Sequence, residues 1–276
     1  IRNWIHSESN LKNIIEIGSG TGSLIEQIGI KEITAVELSS TAREELIKKG
    51  IDTHTTIDEL TTKTSDLIFG NEILDNIPCS IGLYKDEGWY EKVVLLEENS
   101  LAYGLRPIRN EELDWINKNN IVPNEDYEFE IQVNIDKFLN SVIKKINPGK
   151  ILLFDYGYEQ KNRDKRMYSS LLRTYKNHHL SVDPIDDPGN IDITYDVNFS
   201  SISSELKYLG YDVTLKLQRD FLIDNGFNIF FDELQEKYIA AEGIEKLKIN
   251  SELNGMKAIV DSNGLGGFYC LIAEKL

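Results

Sequence analysis

The length, composition and charge of the chain limit what it can be. Its 276 residues suffice for one large α/β domain with an elaboration, or for two small domains. Lysine and arginine number 30 against 46 aspartate and glutamate, so the net charge is −16 at pH 7 with histidine neutral. Such a charge repels phosphate backbones, so we expect no nucleic-acid partner.

Three further features bear on the location of the protein. Cys79 and Cys270 are the only cysteines, too few for a disulfide framework. The sequence contains no apolar run of 18 residues or more and no recognisable signal peptide. We therefore expect a cytoplasmic protein with no membrane partner. Because the chain starts at Ile1 rather than at methionine, we also expect it to be part of a longer, multidomain polypeptide.

Strands and helices alternate through the first 80 residues. In chain order, the sequence predicts strand Lys12–Ile17, helix Ser23–Ile30, strand Ile33–Leu38, helix Thr41–Lys49, strand Ile51–Ile57 and strand Ser65–Gly70. This alternation with short connections predicts an α/β fold with a doubly wound, mostly parallel sheet.

The rest of the chain alternates less regularly. Its predicted elements are antiparallel strands at Tyr84–Leu96 and Tyr127–Val133, a helix at Ile135–Ile146, a buried strand at Lys150–Tyr156, a helix at Phe199–Leu209, a strand at Asp212–Gln218, one or two helices in Asp232–Lys248 and a last strand at Gly267–Ala273. The polar stretch Lys161–Pro188 has little periodicity and predicts a long functional loop.

A glycine-rich turn after the first strand carries the most specific chemical signal. It reads EIGSGTG from Glu16 to Gly22. Glycines let the backbone turn sharply and allow a ligand to approach the main chain. The spacing G-x-G-x-G after an acid differs from the G-x-G-x-x-G of dinucleotide enzymes and is typical of S-adenosylmethionine-dependent methyltransferases. We predict cofactor contacts from this turn, at Glu16, Gly18, Ser19, Gly20 and Gly22.

Acidic and amide side chains follow the next strands. Glu37 ends the second predicted strand, where a carboxylate can accept both hydroxyls of a ribose. The carboxyl ends of strands line the ligand crevice of an open α/β sheet, so we predict that Asn71 contacts the cofactor. Glu72 and Asp75 are predicted to be catalytic, by orienting an amine or guanidinium or by accepting a proton. The alternative is a helix N-cap motif that Pro78 stops.

Seven motifs in chain order resemble those of the MidA family. They are EIGSGTG, NEILDNIP, GWYEKVV, ILLFDYGY, LLRTYKNHH, DDPGNIDITYDVNF and LQRDFLIDNGF. That family comprises methyltransferases linked to assembly of mitochondrial respiratory complex I, with bacterial relatives. The resemblance implies a class I (Rossmann-like) methyltransferase core with an inserted substrate-binding elaboration, and protein arginine as the acceptor. The sequence departs from the family in lacking the longer N-terminal lid, in a short stretch between Glu37 and Asn71, and in Asn198 where the family tends to have aspartate.

A related resemblance implies a metal site. The methyltransferase domains of polyketide synthase loading modules are similar, and they look like metal-dependent C-methyltransferases of carrier-bound malonyl groups. On the family pattern, His178, Asp192 and Gln218 would hold Fe²⁺ or Mn²⁺, and Tyr175 would assist the acceptor. Methylation of carbon requires an enolate, which a cation stabilises. Spacing alone favours the alternative of a hydrogen-bonded loop histidine with a capping acid.

Three functions therefore stay open. The first, which the sequence favours, is metal-assisted C-methylation of a malonyl or acyl group on an acyl carrier protein, in polyketide biosynthesis. The second is N-methylation of arginine in a protein substrate, with Glu72, Asp75 and Asp155 holding the cation. The third is a non-catalytic assembly factor. We expect one compact domain, with a cofactor-binding half at 1–80, inserted strands and a helix at 81–149, and the remaining core at 150–276 with an active-site loop at about 157–198.

Overall fold

The chain forms two compact units. The structure is a computed structural model that describes residues 1–8, 11–30, 32–60, 65–98, 100–123, 125–165, 171–176, 179–180 and 183–275. The first unit comprises Ile1–Ile73, Ser141–Tyr156 and Leu206–Leu276, and the second comprises Leu74–Asn140 and Gly157–Glu205. The sequence predicted one compact domain with internal boundaries at 80 and 149. In the structure, the chain crosses between the two units four times, after residues 73, 140, 156 and 205.

The strands and helices are numbered along the chain. The strands are β1 (Ile14–Ile17), β2 (Ile33–Val36), β3 (Thr53–His54), β4 (Ser65–Asn71), β5 (Ser80–Lys85), β6 (Gly88–Glu97), β7 (Ser100–Pro107), β8 (Tyr127–Ile131), β9 (Ile146–Asp155), β10 (Gly157–Tyr158), β11 (Leu172–Lys176), β12 (His179–Leu180), β13 (Asp192–Tyr195), β14 (Val197–Asn198), β15 (Asp212–Leu217) and β16 (Tyr269–Lys275). The α-helices are α1 (Arg2–Ser7), α2 (Ser23–Ile28), α3 (Ser40–Lys48), α4 (Asn110–Lys118), α5 (Val133–Ile143), α6 (Phe199–Tyr208), α7 (Gln218–Asp224), α8 (Phe227–Ala240) and α9 (Gly243–Val260). None of the helices in the described part of the chain has the length and apolar character needed to cross a membrane.

The first unit is built on one twisted sheet. Its strand order is β3-β2-β1-β4-β9-β16-β15. The pairs from β3 to β9 are parallel, whereas β16 runs antiparallel to both of its neighbours. The predicted α/β class with a mostly parallel sheet is therefore confirmed.

The apolar content of the strands explains this arrangement. All four residues of β1 are buried, as expected for a strand with parallel neighbours on both sides and helices on both faces. A core cluster of this unit joins strands and helices, with Ile14, Ile25, Ile28, Leu46, Phe69 and Phe154 among its members. The strand β1 is thus held rigidly, and the glycine-rich turn extends from its carboxyl end.

The second unit is built on an antiparallel sheet in the order β7-β6-β5-β8. Its core packs α4 against this sheet through Trp115, Ile116 and Phe129. The antiparallel strands predicted at Tyr84–Leu96 are present as β6 and the end of β5, and the tight turn between them consists of Asp86 and Glu87. Both adopt left-handed backbone angles (φ 51° and 61°), a conformation for which glycine or asparagine is the usual signal.

The prediction that Lys161–Pro188 forms one continuous loop is wrong. A 3₁₀ turn spans Gln160–Lys165, and β11 pairs with β12 and with β13 in a small antiparallel sheet. These strands are too short for a period-2 pattern to be recognised in the sequence. Farther along, the amide oxygen of Asn198 accepts hydrogen bonds from the backbone N–H groups of Ser200 and Ser201 (3.1 and 3.2 Å). It is the N-cap of α6, a role that aspartate fills equally well, so the departure at Asn198 is conservative.

Candidate functional site

The three glycines of the turn after β1 all have left-handed backbone angles. The φ values are 71° at Gly18, 52° at Gly20 and 82° at Gly22. A Cβ at Gly18 would lie 2.4 Å from a methyl carbon of Ile73, and one at Gly22 would lie 2.7 Å from Leu46. At Gly20 nothing lies within 4 Å. Gly18 and Gly22 are therefore required for packing, whereas Gly20 leaves open space where a ligand can touch the backbone.

The carboxylate of Glu37 joins this turn to the next strand–helix connection. One oxygen accepts a hydrogen bond from the N–H of Gly20 (2.8 Å), and the other accepts one from the N–H of Ser39 (2.8 Å). Arg43 donates to the main-chain oxygen of Glu37 (2.7 Å), which holds the connection in place. A carboxylate has about four acceptor positions, so two remain for the hydroxyls of a ribose.

Glu16 is buried immediately before the turn. Only 3% of it is exposed, and its Oε2 has no hydrogen-bond partner in the structure as described. Burial raises the pKa of this carboxyl to about 8; the Ser19 hydroxyl opposes the increase and the charge of Glu37 adds to it. The Ser19 hydroxyl also donates to the main-chain oxygen of Glu16 (3.1 Å). At pH 7 Glu16 is therefore mostly protonated.

Asn71 and Glu72 lie at the carboxyl end of β4, where both are exposed. The side-chain amide of Asn71 donates to a carboxylate oxygen of Glu72 (3.3 Å). Glu72 has a left-handed backbone (φ 51°), which is rare for a residue with a long side chain, and its N–H donates to the main-chain oxygen of Phe154 (2.9 Å). Such strain is concentrated at functional sites, so it supports a role for Glu72.

Asp75 is in the second unit and is 3% exposed. The amide of Asn76 donates to its Oδ1 (2.7 Å). The hydroxyl of Tyr195 lies 3.0 Å from the main-chain oxygen of Leu74 and 2.7 Å from that of Ile77. Tyr195 therefore holds the turn that carries Asp75. Its contribution was missed in the sequence, since β13 is more than 100 residues away along the chain.

Asp75 lines a cavity of 980 Å³ within the second unit. Five of the described residues that line it carry carboxylates and two are cationic: Asp75, Glu91, Asp126, Glu128 and Asp183, against Lys92 and Arg163. Apolar walls come from residues such as Ile77 and Ile193. The sequence predicted only Asp75 of this set, because the other acids lie on separate strands and a loop.

Several of the charged groups of the cavity are engaged with one another. Lys92 forms an ion pair with Glu128 (3.2 Å), and the hydroxyl of Tyr103 donates to Asp183. The guanidinium of Arg163 donates to the main-chain oxygen of Glu128 (2.7 Å). Glu91 is paired as well, with Arg106 (2.5 Å) and Arg109 (3.7 Å). Carboxylates still outnumber cations among the residues that line the cavity, which favours a cationic guest.

The metal ligands that the sequence predicted are His178, Asp192 and Gln218. His178 lies outside the described residues. Asp192 is exposed in the second unit, where its backbone pairs with that of Tyr175, the residue predicted to assist the acceptor. Gln218 begins α7 in the first unit, and its amide nitrogen donates to the main-chain oxygens of Leu265 (3.0 Å) and Ile259 (3.5 Å). The part of the chain that is described holds no group of three histidine, cysteine or acidic side chains placed for a metal ion, and the metal site stays a prediction.

Comparison with protein-family models gives one match over most of the chain. The matching family is described as "Putative S-adenosyl-L-methionine-dependent methyltransferase", and the match covers residues 1–214. The chain belongs to this family. It is thus an S-adenosylmethionine-dependent methyltransferase, and the prediction of enzyme class is confirmed. No match was found among curated proteins.

Two solved structures resemble the methyltransferase over nearly its whole length. Both are COG1565 superfamily proteins from Burkholderia thailandensis. The one with bound S-adenosylhomocysteine is 21% identical with a TM-score of 0.81, over 99% of this chain and 74% of that one. The other is also 21% identical, with a TM-score of 0.83 over 99% of this chain and 77% of that one. At this identity the likeness shows a shared fold.

The glycine-rich turn of the methyltransferase fits the cofactor of its family. Gly20 leaves open space beside the backbone, and Glu37 retains acceptor positions for ribose hydroxyls. Glu16 adds a buried carboxyl oxygen without a partner. We therefore assign S-adenosylmethionine to this turn as a proposal, with the contacts at Glu16, Gly18, Ser19, Gly20, Gly22, Glu37 and Asn71 that the sequence predicted.

The first testable prediction compares Gly20→Ala with Gly50→Ala. Both glycines have positive φ and no atom within 4 Å of an added Cβ, so each substitution is expected to destabilise the fold by about 1 kcal/mol. Only Gly20→Ala should also weaken S-adenosylmethionine binding, by at least about tenfold, because its methyl group occupies the ligand's space. Denaturant unfolding and titration calorimetry measure the two effects. Equal affinity in the two variants would contradict the assignment.

The second prediction concerns Glu16→Gln. The pKa of Glu16 is about 8 in the fold against an ordinary value of 4.5. The stability that this group contributes is therefore complete below pH 4.5 and is lost as the pH rises through 8. Between about pH 5 and pH 9 the wild type should lose on the order of 4 kcal/mol more unfolding free energy than the variant. Denaturant titrations at both pH values test this, and parallel profiles would show that the carboxyl is not buried as described.

Proposed function

We propose that the methyltransferase transfers the methyl group of S-adenosylmethionine to a nitrogen of an arginine guanidinium in a protein substrate. The observation that supports this acceptor is the charge of the cavity in the second unit, with five carboxylates against two cations. An arginine side chain offers five N–H donors to such walls, and its charge persists at any physiological pH. The resemblance to the MidA family points to the same acceptor.

The two acceptors considered in the sequence differ in charge. A malonyl group carries a carboxylate, so the walls around Asp75 and Glu128 would repel it. Its methylation also needs a cation to stabilise the enolate, whereas nitrogen methylation needs only carboxylates that align the guanidinium. The charge of the cavity therefore favours arginine as the acceptor. The sequence had favoured C-methylation of a carrier-bound group in polyketide biosynthesis. The partner that follows is a protein substrate rather than an acyl carrier protein.

The acidic residues supply orientation and proton transfer in this proposal. S-adenosylmethionine supplies a methyl group that is activated by the sulfonium charge. The side chain of Asp75, rigidly held by Asn76, fixes the guanidinium by charge-assisted hydrogen bonds. Glu72, exposed at the end of β4, accepts the proton that the nitrogen releases as its lone pair forms the new bond to carbon.

A third prediction tests the acceptor through Asp75→Asn. Radiolabelled methyl incorporation is measured into a peptide with one arginine, the same peptide with lysine instead, and a malonyl-loaded carrier protein. We expect label in the arginine peptide, and a loss of about 100-fold or more in kcat/KM for Asp75→Asn. Asp114→Asn, an exposed aspartate of α4, is the matched control and should behave as wild type. Label in the carrier protein, or equal rates for both variants, would refute the proposal.

A fourth prediction uses the backbone strain at Glu72. Glu72→Gly and Glu98→Gly remove the same side chain from positions with nearly the same left-handed angle (φ 51° and 53°). Each should raise the unfolding free energy by roughly 0.5–1 kcal/mol, because glycine adopts this conformation without strain. Only Glu72→Gly should lower kcat. Thermal unfolding and steady-state kinetics provide the two measurements, and unchanged kcat in Glu72→Gly would exclude Glu72 from the reaction.

A further inference from the structure

The carboxyl of Glu16 is buried, and one of its oxygens has no hydrogen-bond partner in the described structure. We infer that the ionisation of Glu16 is coupled to the charge of the bound cofactor, so that the site distinguishes S-adenosylmethionine from its demethylated product, S-adenosylhomocysteine. This inference rests on the cofactor site and is independent of the acceptor proposed above.

The geometry around Glu16 disfavours its ionised form in the absence of a cation. Its neighbours across the sheet are Ala35 on β2 and Phe69 on β4, and neither is exposed to solvent. Glu16 is 3% exposed and its Oε2 has no hydrogen-bond partner within the described structure. A buried carboxylate with one oxygen unpartnered is unfavourable, and the hydrogen bond from Ser19 offsets the cost of burial only in part, so the protonated form is favoured when no cation is near.

The charged groups of the surrounding elements do not replace that positive charge. The strand β2 leads to Glu37, β4 leads to Glu72, and α2 carries Glu26, which pairs with Lys49 on the surface (2.9 Å). The guanidinium of Arg43 in α3 is engaged by the main-chain oxygens of Glu37 and Leu38. Of these groups, Glu37 acts on Glu16 by disfavouring its ionised form further.

The two ligands differ by one charge. S-adenosylmethionine carries a sulfonium, and S-adenosylhomocysteine has a neutral thioether with the same amino-acid and adenosine parts. The inference places the sulfonium beside Glu16 and the α-ammonium, which both ligands carry, away from it. A cation beside a buried carboxyl favours the ionised form, so binding of S-adenosylmethionine releases a proton from Glu16 to solvent. By linkage, affinity for S-adenosylmethionine rises with pH while Glu16 titrates, by up to about tenfold per pH unit. After methyl transfer the sulfonium charge is gone, Glu16 takes up a proton, and the product loses that share of affinity.

Titration calorimetry tests this inference with a readout other than activity. Both ligands are titrated at four values from about pH 6.5 to 9.5, in two buffers of different ionisation enthalpy, so that protons released are counted. We expect the wild type to release about 0.5–1 proton more with S-adenosylmethionine than with S-adenosylhomocysteine near pH 7.5. The affinity ratio of the two ligands should rise about tenfold or more between pH 6.5 and 8.5. The ligands share an α-amino group, so its own titration cancels in the difference.

Two variants complete the experiment. In Glu16→Gln the difference in released protons should vanish and the affinity ratio should become independent of pH. Glu26→Gln makes the same substitution at an exposed position of the same unit and should behave as wild type.

Equal proton release by the two ligands, or an unchanged pH dependence in Glu16→Gln, would overturn the inference while leaving the cofactor site intact. Binding of neither ligand to the wild type would overturn it together with the cofactor site. If Glu16→Gln does not fold, the comparison of the two ligands on the wild type decides the question by itself.

Discussion

The two hydrogen bonds accepted by Glu37 are the interaction on which the proposed cofactor site depends. They join the backbone of Gly20 to that of Ser39, and so connect the turn after β1 with the start of α3. Because a carboxylate has acceptor positions to spare, this connection can hold the loop and still receive a sugar. The strand that leads into the turn is buried along its whole length and pairs with parallel strands on both sides. Cofactor affinity therefore depends on main-chain geometry as much as on side chains.

Acidic side chains with few cationic partners occur at the proposed sites of both units. In the first unit, Glu16 keeps a buried oxygen without a partner. In the second, the cavity walls have more carboxylates than cations. Such arrangements lower the stability of the empty protein, since buried acids would be better paired or replaced by apolar residues. They are favourable when cations bind, and both the sulfonium of the cofactor and a guanidinium acceptor are cations.

The sequence predicted the elements of the first unit well, because their signals are local. An apolar run followed by glycines and an acid indicates β1 and its turn, and the predicted strand Ser65–Gly70 matches β4 closely. In the second unit, local signals indicated β8 and α6 but not every turn and strand. The turn at Asp86 and Glu87 has left-handed angles without glycine at either position, and the strands β11 and β12 are too short to show a period. The turn is held by the pairing of β5 with β6, and β11 by its pairing with β13, and these pairings override weak local preference.

The sequence by itself determined the fold class, the cofactor turn and the acids that follow the strands, because each depends on residues adjacent in the chain. Only the tertiary structure decided which acidic side chains line the same cavity. Antiparallel pairing of β5 with β6 and β8 brings Glu91 and Glu128 to the cavity that Asp75 lines. The burial of Glu16 likewise follows from the strands on either side of it, and its unpartnered oxygen is invisible in a linear pattern. Charge and burial act through space, so a one-dimensional sequence identifies the candidate groups, and folding sets the distances that give them their chemistry.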